Sequence, residues 1–402
     1  VPANRMSATR EAAIIGTMES QAQPPLTACY LHTPFCAVKC SYCNFFSGVR
    51  QAGQMESWFE GLVAEIAHHD RLGRLTGRSI DTLYVGGGTP TAFDPPELAR
   101  LFALLRSSLS LHPDAEITSE ANPESLTDSM AETLVGLGVS RVSMGAQSFH
   151  DDELLRLNRP HDAAAIVQAV RAARRAGIGS LNLDLIYGLP GQTLDRWQYS
   201  VQAALELAPD HLSCYCLILE PATPLTVEVG AGRQPRPDDG LQRDMFDWTV
   251  ETLVRHGYEF YELSNFARPG RRSQHNLRYW LGQPWLGLGP SAHSYLDGAR
   301  GANPANLDLY RRRFTAAEPQ DTFRPVAPND LVFERVFMNL RLIEGMNLND
   351  FQSEFGAPLD YFYPEVLPRL LSRGQLVREG QTLRLGPEWW FLSDGIFTEF
   401  AP

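Results

Sequence analysis

Between Ala28 and about Phe266, short apolar runs alternate with longer stretches in which apolar positions recur at helical spacing. The alternation predicts βα units around a parallel sheet, wound right-handed into an open or closed barrel. Strands are predicted at 29–32, 82–85, 116–121, 141–145, 181–186, 211–219 and 259–262, and helices at 57–69, 96–109, 125–137, 163–176 and 194–207. Residues 221–239, rich in Pro and Gly, read as a long surface loop over the barrel mouth. Past residue 321 the pattern changes to helices at 330–344 and 359–373, then short strands at 376–378 and 382–385 flanking Glu379-Gly380, as in a winged helix.

The expected organisation is a leader over 1–25, a barrel over 26–265, a connecting segment over 266–320 and a small C-terminal helical domain over 321–402. Gln21, Gln23, Pro24 and Pro25 mark the leader as poorly ordered, and Val1–Arg5, ahead of Met6, read as foreign to the native chain. The net charge is -12. That balance disfavours a broad nucleic-acid or anionic-membrane surface. Glu334, Glu344, Glu354 and Glu365 give the C-terminal helices a packing role rather than a DNA-binding one. No run approaches the roughly 18 apolar residues of a membrane span, and Ile14-Ile15 is too brief for a signal-peptide core. A cytoplasmic protein is expected.

Of six cysteines, Cys36, Cys40 and Cys43 crowd into eight residues just after the first strand, where βα loops build sites. Three thiolates at this spacing can hold a 4Fe-4S cluster and leave one iron open, to which the amino and carboxylate groups of S-adenosylmethionine (SAM) can bind. The alternative, zinc, needs a fourth protein ligand and finds no second cysteine pair. Cys29, Cys214 and Cys216 read as small strand residues.

Tyr30-Leu-His-Thr-Pro-Phe-Cys36 followed by Lys39-Cys40-Ser-Tyr-Cys43 resembles the oxygen-independent coproporphyrinogen oxidase branch of radical SAM proteins. The resemblance runs through most of the chain and implies an α/β fold, a partial (β/α)6-type barrel with a winged-helix-like C-terminal domain. It implies that the loop Gly86-Gly87-Gly88-Thr89-Pro-Thr91, which lacks a P-loop lysine, faces the methionine part of SAM. Further strings match at later strand ends: Glu120-Ala-Asn-Pro, Ser143-Met-Gly-Ala-Gln147, Asn158-Arg159 and Asn182-Leu-Asp184. By resemblance Glu120, Gln147, Arg159 and Asp184 contact SAM, with Tyr30 and Tyr42 beside the cluster loop. Cys216, Ala292 and His293 also carry over, less distinctly.

Within that branch the oxidases carry a further cysteine two positions after the third, where this chain has Phe45. The short leader departs from the oxidases as well. His275-Asn276-Leu-Arg-Tyr279-Trp280 resembles the HNxxYW string of the haem-chaperone subgroup, which implies haem contact at His275, Tyr279 and Trp280. Read without the resemblance, a histidine beside Tyr and Trp is a satisfied core residue, and His293 is a second candidate iron ligand. The preferred expectation is a non-enzymatic haem chaperone with a SAM-bound cluster. It would bind haem and pass it to haem-accepting proteins such as respiratory enzymes, meeting the membrane peripherally through them. The alternative is a radical SAM decarboxylase giving protoporphyrinogen IX; a related methylase or haem-degrading enzyme shares the same core. Changing Cys36, Cys40 and Cys43 together to Ala is expected to abolish iron content and visible charge-transfer absorbance after reconstitution; iron retained at the wild-type level would exclude the cluster.

Overall fold

A computed structural model describes residues 25–402, so the expectations for the leader fall almost wholly outside the described residues. Six parallel strands form its centre: β1 (Ala28–Thr33), β2 (Ile80–Gly87), β3 (Leu111–Ala121), β4 (Arg141–Gln147), β5 (Ser180–Tyr187) and β6 (His211–Cys216). Between them run α1 (Gln54–Arg71), α2 (Pro95–Ser108), α3 (Asp128–Gly136), α4 (Ala163–Ala176) and α5 (Leu194–Glu206). The helices begin where local chemistry lets them. Thr127, Asp162 and Thr193 each accept a backbone N–H of the first turn through the side chain, and Pro95 opens α2 where no N–H is needed. Gly177, at φ 89°, ends α4 in the left-handed region.

Alternate strand residues face opposite ways. Leu83, Val85, Ile117, Val142, Met144, Leu181, Leu183 and Leu212 enter one apolar layer with Trp58, Leu101, Phe102, Ile166 and Trp197 of the helices. Cys29 and Cys214 are buried in that layer. The opposite face, on the concave side, is polar and lines a cavity.

Segment 266–320 does more than connect. After α6 (Asp239–Arg255), β7 (Glu259–Glu262) and β8 (Asn265–Ala267), the short α7 (Gln274–Trp280) returns the chain to β9 (Trp285–Leu288), which pairs in parallel with β1. Antiparallel β10 (His293–Leu296), β11 (Ala299–Ala302) and β12 (Arg324–Pro325) follow. The sheet order β12-β11-β10-β9-β1-β2-β3-β4-β5-β6-β8-β7 stays open. Four-residue strands interrupted by glycine give too little periodicity to be read from sequence. Gly287 is there for close approach, since a Cβ on it would lie 2.1 Å from the His293 carbonyl oxygen.

Two other expectations are corrected. Region 221–239 contains a helix, Pro224–Gly230, because Thr223 caps it and Pro224 sits in its first turn, where proline is tolerated; residues 231–238 are loop, and the 17-residue α6 begins at Asp239. The predicted helix 359–373 breaks into Leu359–Phe362 and Val366–Ser372, since Pro364 lacks the N–H that would continue it. The C-terminal part also contains α9 (Pro328–Leu340), reached through α8 (Leu307–Phe314), and a three-stranded sheet. It packs on Ala28, Leu263, Trp285 and Tyr295.

Glu65 of α1 is fully buried and fastens three separate segments. Its carboxylate accepts from Tyr310 Oη of α8 at 2.6 Å, from the Gly289 N–H after β9 at 2.8 Å and from Asn303 Nδ2 at 2.5 Å. Removing it takes the partner from two buried donors, Tyr310 Oη and the Gly289 N–H, while Asn303 Nδ2 keeps the Gly289 carbonyl. Glu65→Ala should therefore lower unfolding free energy by about 3 kcal/mol in urea titrations, and a loss of only a few tenths would refute this role.

Candidate functional site

Cys36 ends a two-residue strand that leaves β1, Phe35–Cys36, which pairs in parallel with Gly48–Val49. The pairing closes the loop carrying Cys40 and Cys43. All three thiols are free and half-buried. Burial pushes the Cys36 thiol up, hydrogen bonds with Thr89 and Ser47 oppose the shift, and the neighbouring Cys40 and Cys43 thiols add to it. Arg159 Nη1 donates to Cys40 Sγ at 3.2 Å, and Lys39 Nζ to Cys43 Sγ at 3.7 Å. Sulfurs with cationic donors fit a cluster of negative charge. Among the described residues, no three His, Cys, Asp or Glu side chains close round a single metal ion. In a cuboidal cluster each thiolate binds a different iron, so that the sulfurs stand further apart than round one ion.

Beside this loop lies a cavity of about 370 Å³. Tyr42, Glu120, Gln147 and Asp184, four of the expected SAM contacts, line it. Glu120 Oε1 accepts from Tyr84 Oη and Oε2 from the Gly87 N–H, both at 2.8 Å. Burial pushes its carboxyl up to about 7 despite these two bonds, and Asp184 adds to the rise. Asp184 is raised by burial too, and accepts from Asn182 Nδ2 at 2.7 Å and Ser143 Oγ at 3.3 Å. Gln147 sits at φ 67°, where β4 breaks register against β5, a conformation that costs a non-glycine residue energy and here delivers its side chain to the cavity.

Arg159 stands behind that wall. Its Nη2 donates to Asn122 Oδ1 and to the Gly145 carbonyl, both at 2.7 Å, while its buried Nε has no partner. A guanidinium with a spare buried N–H suits an incoming carboxylate. Tyr30, Gly87, Gly88 and Thr89 do not line the cavity. Tyr30 Oη bonds His32 Nδ1 at 3.0 Å, and the N–H groups of Gly88 and Thr89 donate to the Thr33 and Phe35 carbonyls. A Cβ on Gly88 would lie 2.5 Å from both of those oxygens, so this glycine allows the loop to pack on the exit from β1.

The HNxxYW string is placed differently from the haem-contact expectation. His275 is 1% exposed, with Nδ1 on Thr82 Oγ1 at 2.9 Å and Nε2 on Tyr279 Oη at 2.8 Å, and it stacks on Tyr84. Burial depresses its imidazole to about 3, so the ring is neutral. It fastens α7 to β2, as the reading without the resemblance has it, with side chains as partners. Trp280 lies under the Arg341 guanidinium, and its carbonyl accepts from Asn339 of α9. None of the three lines the cavity; Asn276 of the same string does, with Ser273. His293 is exposed at the start of β10 and Ala292 is buried.

Residues 30–204 match the Radical SAM superfamily and residues 326–392 the HemN C-terminal domain. The heme chaperone HemW of Bacillus subtilis strain 168 is 30% identical, covering 93% of this chain and 99% of the relative. HemW of Mycobacterium tuberculosis H37Rv is 36% identical, over 91% and 93% respectively. The chain belongs to the HemW family of radical SAM proteins. A solved structure, coproporphyrinogen III oxidase (HemN) from Escherichia coli, superposes with a TM-score of 0.82 at 24% identity, over 99% of this chain and 94% of that one, and shows that the fold is shared.

In this HemW-family chain, sequence reasoning passed over Tyr84, Asn122, Arg141 and Asn276, each one step along a string already singled out or on a strand already placed. It also passed over Lys39, the only lysine among 35 lysines and arginines. Lys39 Nζ donates to the Phe45 carbonyl at 2.6 Å and to Ser47 Oγ at 3.1 Å as well as to Cys43. A compact ammonium can hold three acceptors in this way, which a planar guanidinium cannot copy. The one signal available was its solitude.

The raised Glu120 pKa has a measurable sign. The folded state holds this proton between the ordinary 4.5 and about 7, so its contribution to stability is full below that window and is lost as pH rises through it. From about pH 4.5 to about pH 7 the wild type should lose stability relative to Glu120→Gln in urea titrations, with no further relative loss at higher pH. Parallel pH profiles would show that Glu120 titrates in the ordinary range.

Proposed function

We propose that this chain binds haem and transfers it to haem-dependent acceptor proteins, holding a 4Fe-4S cluster on Cys36, Cys40 and Cys43 with SAM at the open iron. One observation carries the reading. Phe45 and the HNxxYW string, the two features that set the haem-chaperone subgroup apart, border the same cavity, the string through Asn276. The names of the HemW relatives support it.

The residues suit these ligands by their chemistry. Arg159 offers its spare Nε–H and its charge to the SAM carboxylate, while Glu120 and Asp184 offer acceptors for ribose hydroxyls. Tyr42 supplies an aromatic wall. When bound, the cluster supplies single-electron chemistry at the sulfonium of SAM. Phe45 (63% exposed), Ile218 (65%) and Tyr215 (40%) line the cavity and give it an apolar rim. Solvent-facing apolar side chains around a concave site suit a flat, largely apolar porphyrin. No helix among the described residues is long and apolar enough to cross a membrane, and we place the delivery in the cytoplasm, with respiratory enzymes among the acceptors.

The test is a Soret-band titration of the anaerobically reconstituted chain with haem. Saturation near one haem per chain is expected, with Phe45→Asp weakening the affinity by about tenfold at unchanged iron content. Decarboxylation of coproporphyrinogen III without saturable haem uptake would overturn the reading in favour of the decarboxylase. Iron ligation by His275 requires the ring to leave Thr82 or Tyr279; a Soret maximum unchanged in His275→Ala excludes it.

A further inference from the structure

Arg141 opens β4, six residues before Gln147, and both side chains line the cavity. At about 3.3 Å per residue that is about 20 Å of strand, so Arg141 marks the end of the cavity remote from the cluster loop. The residue is only 3% exposed. Its Nη1 donates to Ser180 Oγ at 3.0 Å and to the Arg271 carbonyl at 3.3 Å, both neutral acceptors. Among the described residues no carboxylate lies within ion-pair distance of it. Of the three carboxylates lining the cavity, Glu120 and Asp184 are bonded to neutral donors and held towards their protonated forms by burial, the Arg141 charge opposing that rise at Asp184 as the least of its causes, and Glu220 makes no ion pair with Arg141 among the described residues.

A guanidinium cannot discharge itself in that manner, because its pKa is too high. A buried cation with neutral partners is costly unless an anion completes the site. The surroundings fit such an anion. Asn276 lines the same end of the cavity, and its main-chain N–H is taken by Ser273 Oγ while its side-chain amide makes no hydrogen bond among the described residues. His211, also in this wall, is kept neutral by burial and by the Arg141 charge, and its two ring nitrogens are engaged by Asn182 and Tyr261. It contributes no competing charge.

We infer that Arg141 and Asn276 form a carboxylate-binding subsite that takes the acidic arm of a ligand entering from the Phe45 rim; in the haem reading of the cavity, on which this rests, the arm is a propionate. Two guanidiniums then serve two carboxylates, Arg141 in the lining of the cavity and Arg159 behind its wall. Arg159 meets a carboxylate beside the cluster, and Arg141 meets one at the floor. The apolar body of the ligand lies between the floor and the rim. The HNxxYW string thus acts on the ligand through its asparagine, while its histidine and tyrosine fix the helix that presents it.

The experiment measures affinities of the reconstituted full chain for haem and for haem dimethyl ester, in wild type, Arg141→Met and Asn276→Ala. Wild type is expected to prefer the free acid by about tenfold or more, the worth of one charge-assisted pair. Arg141→Met should weaken haem binding until that preference is gone and leave the ester as in wild type, with Asn276→Ala acting in the same direction to a smaller extent. Unchanged ester affinity and iron content serve as the folding control. An undiminished preference, or equal losses for acid and ester, overturns the subsite and leaves the haem reading standing. Coproporphyrin III, with four propionates, separates the two ideas: Arg141-dependent binding of it without haem uptake sinks the haem reading and keeps the subsite. If neither porphyrin binds in an Arg141-dependent way, the subsite is wrong.

Discussion

Asn182 binds four side chains at once. Its amide nitrogen donates to Ser143 Oγ at 2.8 Å and Asp184 Oδ1 at 2.7 Å, and its oxygen meets His211 Nδ1 at 2.6 Å and Ser213 Oγ at 3.2 Å. The concave face of the sheet carries polar groups that water does not fully reach, and such groups destabilise a fold unless each finds a partner. One amide joining β4, β5 and β6 across their inner face meets that demand for much of the wall. It also fixes the direction of Asp184 and the tautomer demanded of His211. A network of this kind makes the cavity a formed surface rather than a gap, because no member can rotate without breaking a neighbour's bond.

The cluster loop obeys a second constraint. A chain of net charge -12 gathers three thiols on this loop and brings a cation to two of them, Cys40 and Cys43, while Cys36 meets the neutral Thr89 and Ser47. Arg159 arrives from just beyond a short helix after β4, Asp151–Arg156, and Lys39 from within the loop itself. These contacts join loop to barrel: Arg159 reaches Asn122 and Gly145 with its other nitrogen, and Asn158 Nδ2 donates to the Lys39 carbonyl at 2.8 Å. The position of Cys40 is therefore tied to β4 and to the turn after β3.

The barrel strands were legible because most carry an apolar face under the helices, and Ala163–Ala176 was legible to its last residue because Asp162 and Gly177 punctuate it. That Cys36, Cys40 and Cys43 share one loop beside the first strand was legible from spacing alone. What stayed hidden depended on contacts distant in sequence. β9 is a strand because β1 accepts it, and its four residues have no period to display. Pro and Gly in 221–239 signalled a loop, although one of the prolines begins a helix. His275 drew attention as an imidazole beside aromatic residues, yet its burial against Thr82, 193 residues away, could not be read from its neighbours. Arg141 looked like an ordinary strand terminus until the absence of a carboxylate partner gave it meaning.

The solitary lysine has a consequence for how the molecule meets chemistry in solution. Reagents that acylate or carbamylate amines find only one side-chain target in the chain, on the loop that carries Cys40 and Cys43. Nζ there is engaged by three acceptors, and its freedom to react is set by whether the loop is wrapped around its contents. Elsewhere arginine meets the need for positive charge and offers no side-chain amine to such agents, which leaves the α-amino group as the other amine. The chain therefore carries a built-in reporter: the yield of one modified amine, read by mass, registers the integrity of the cluster loop.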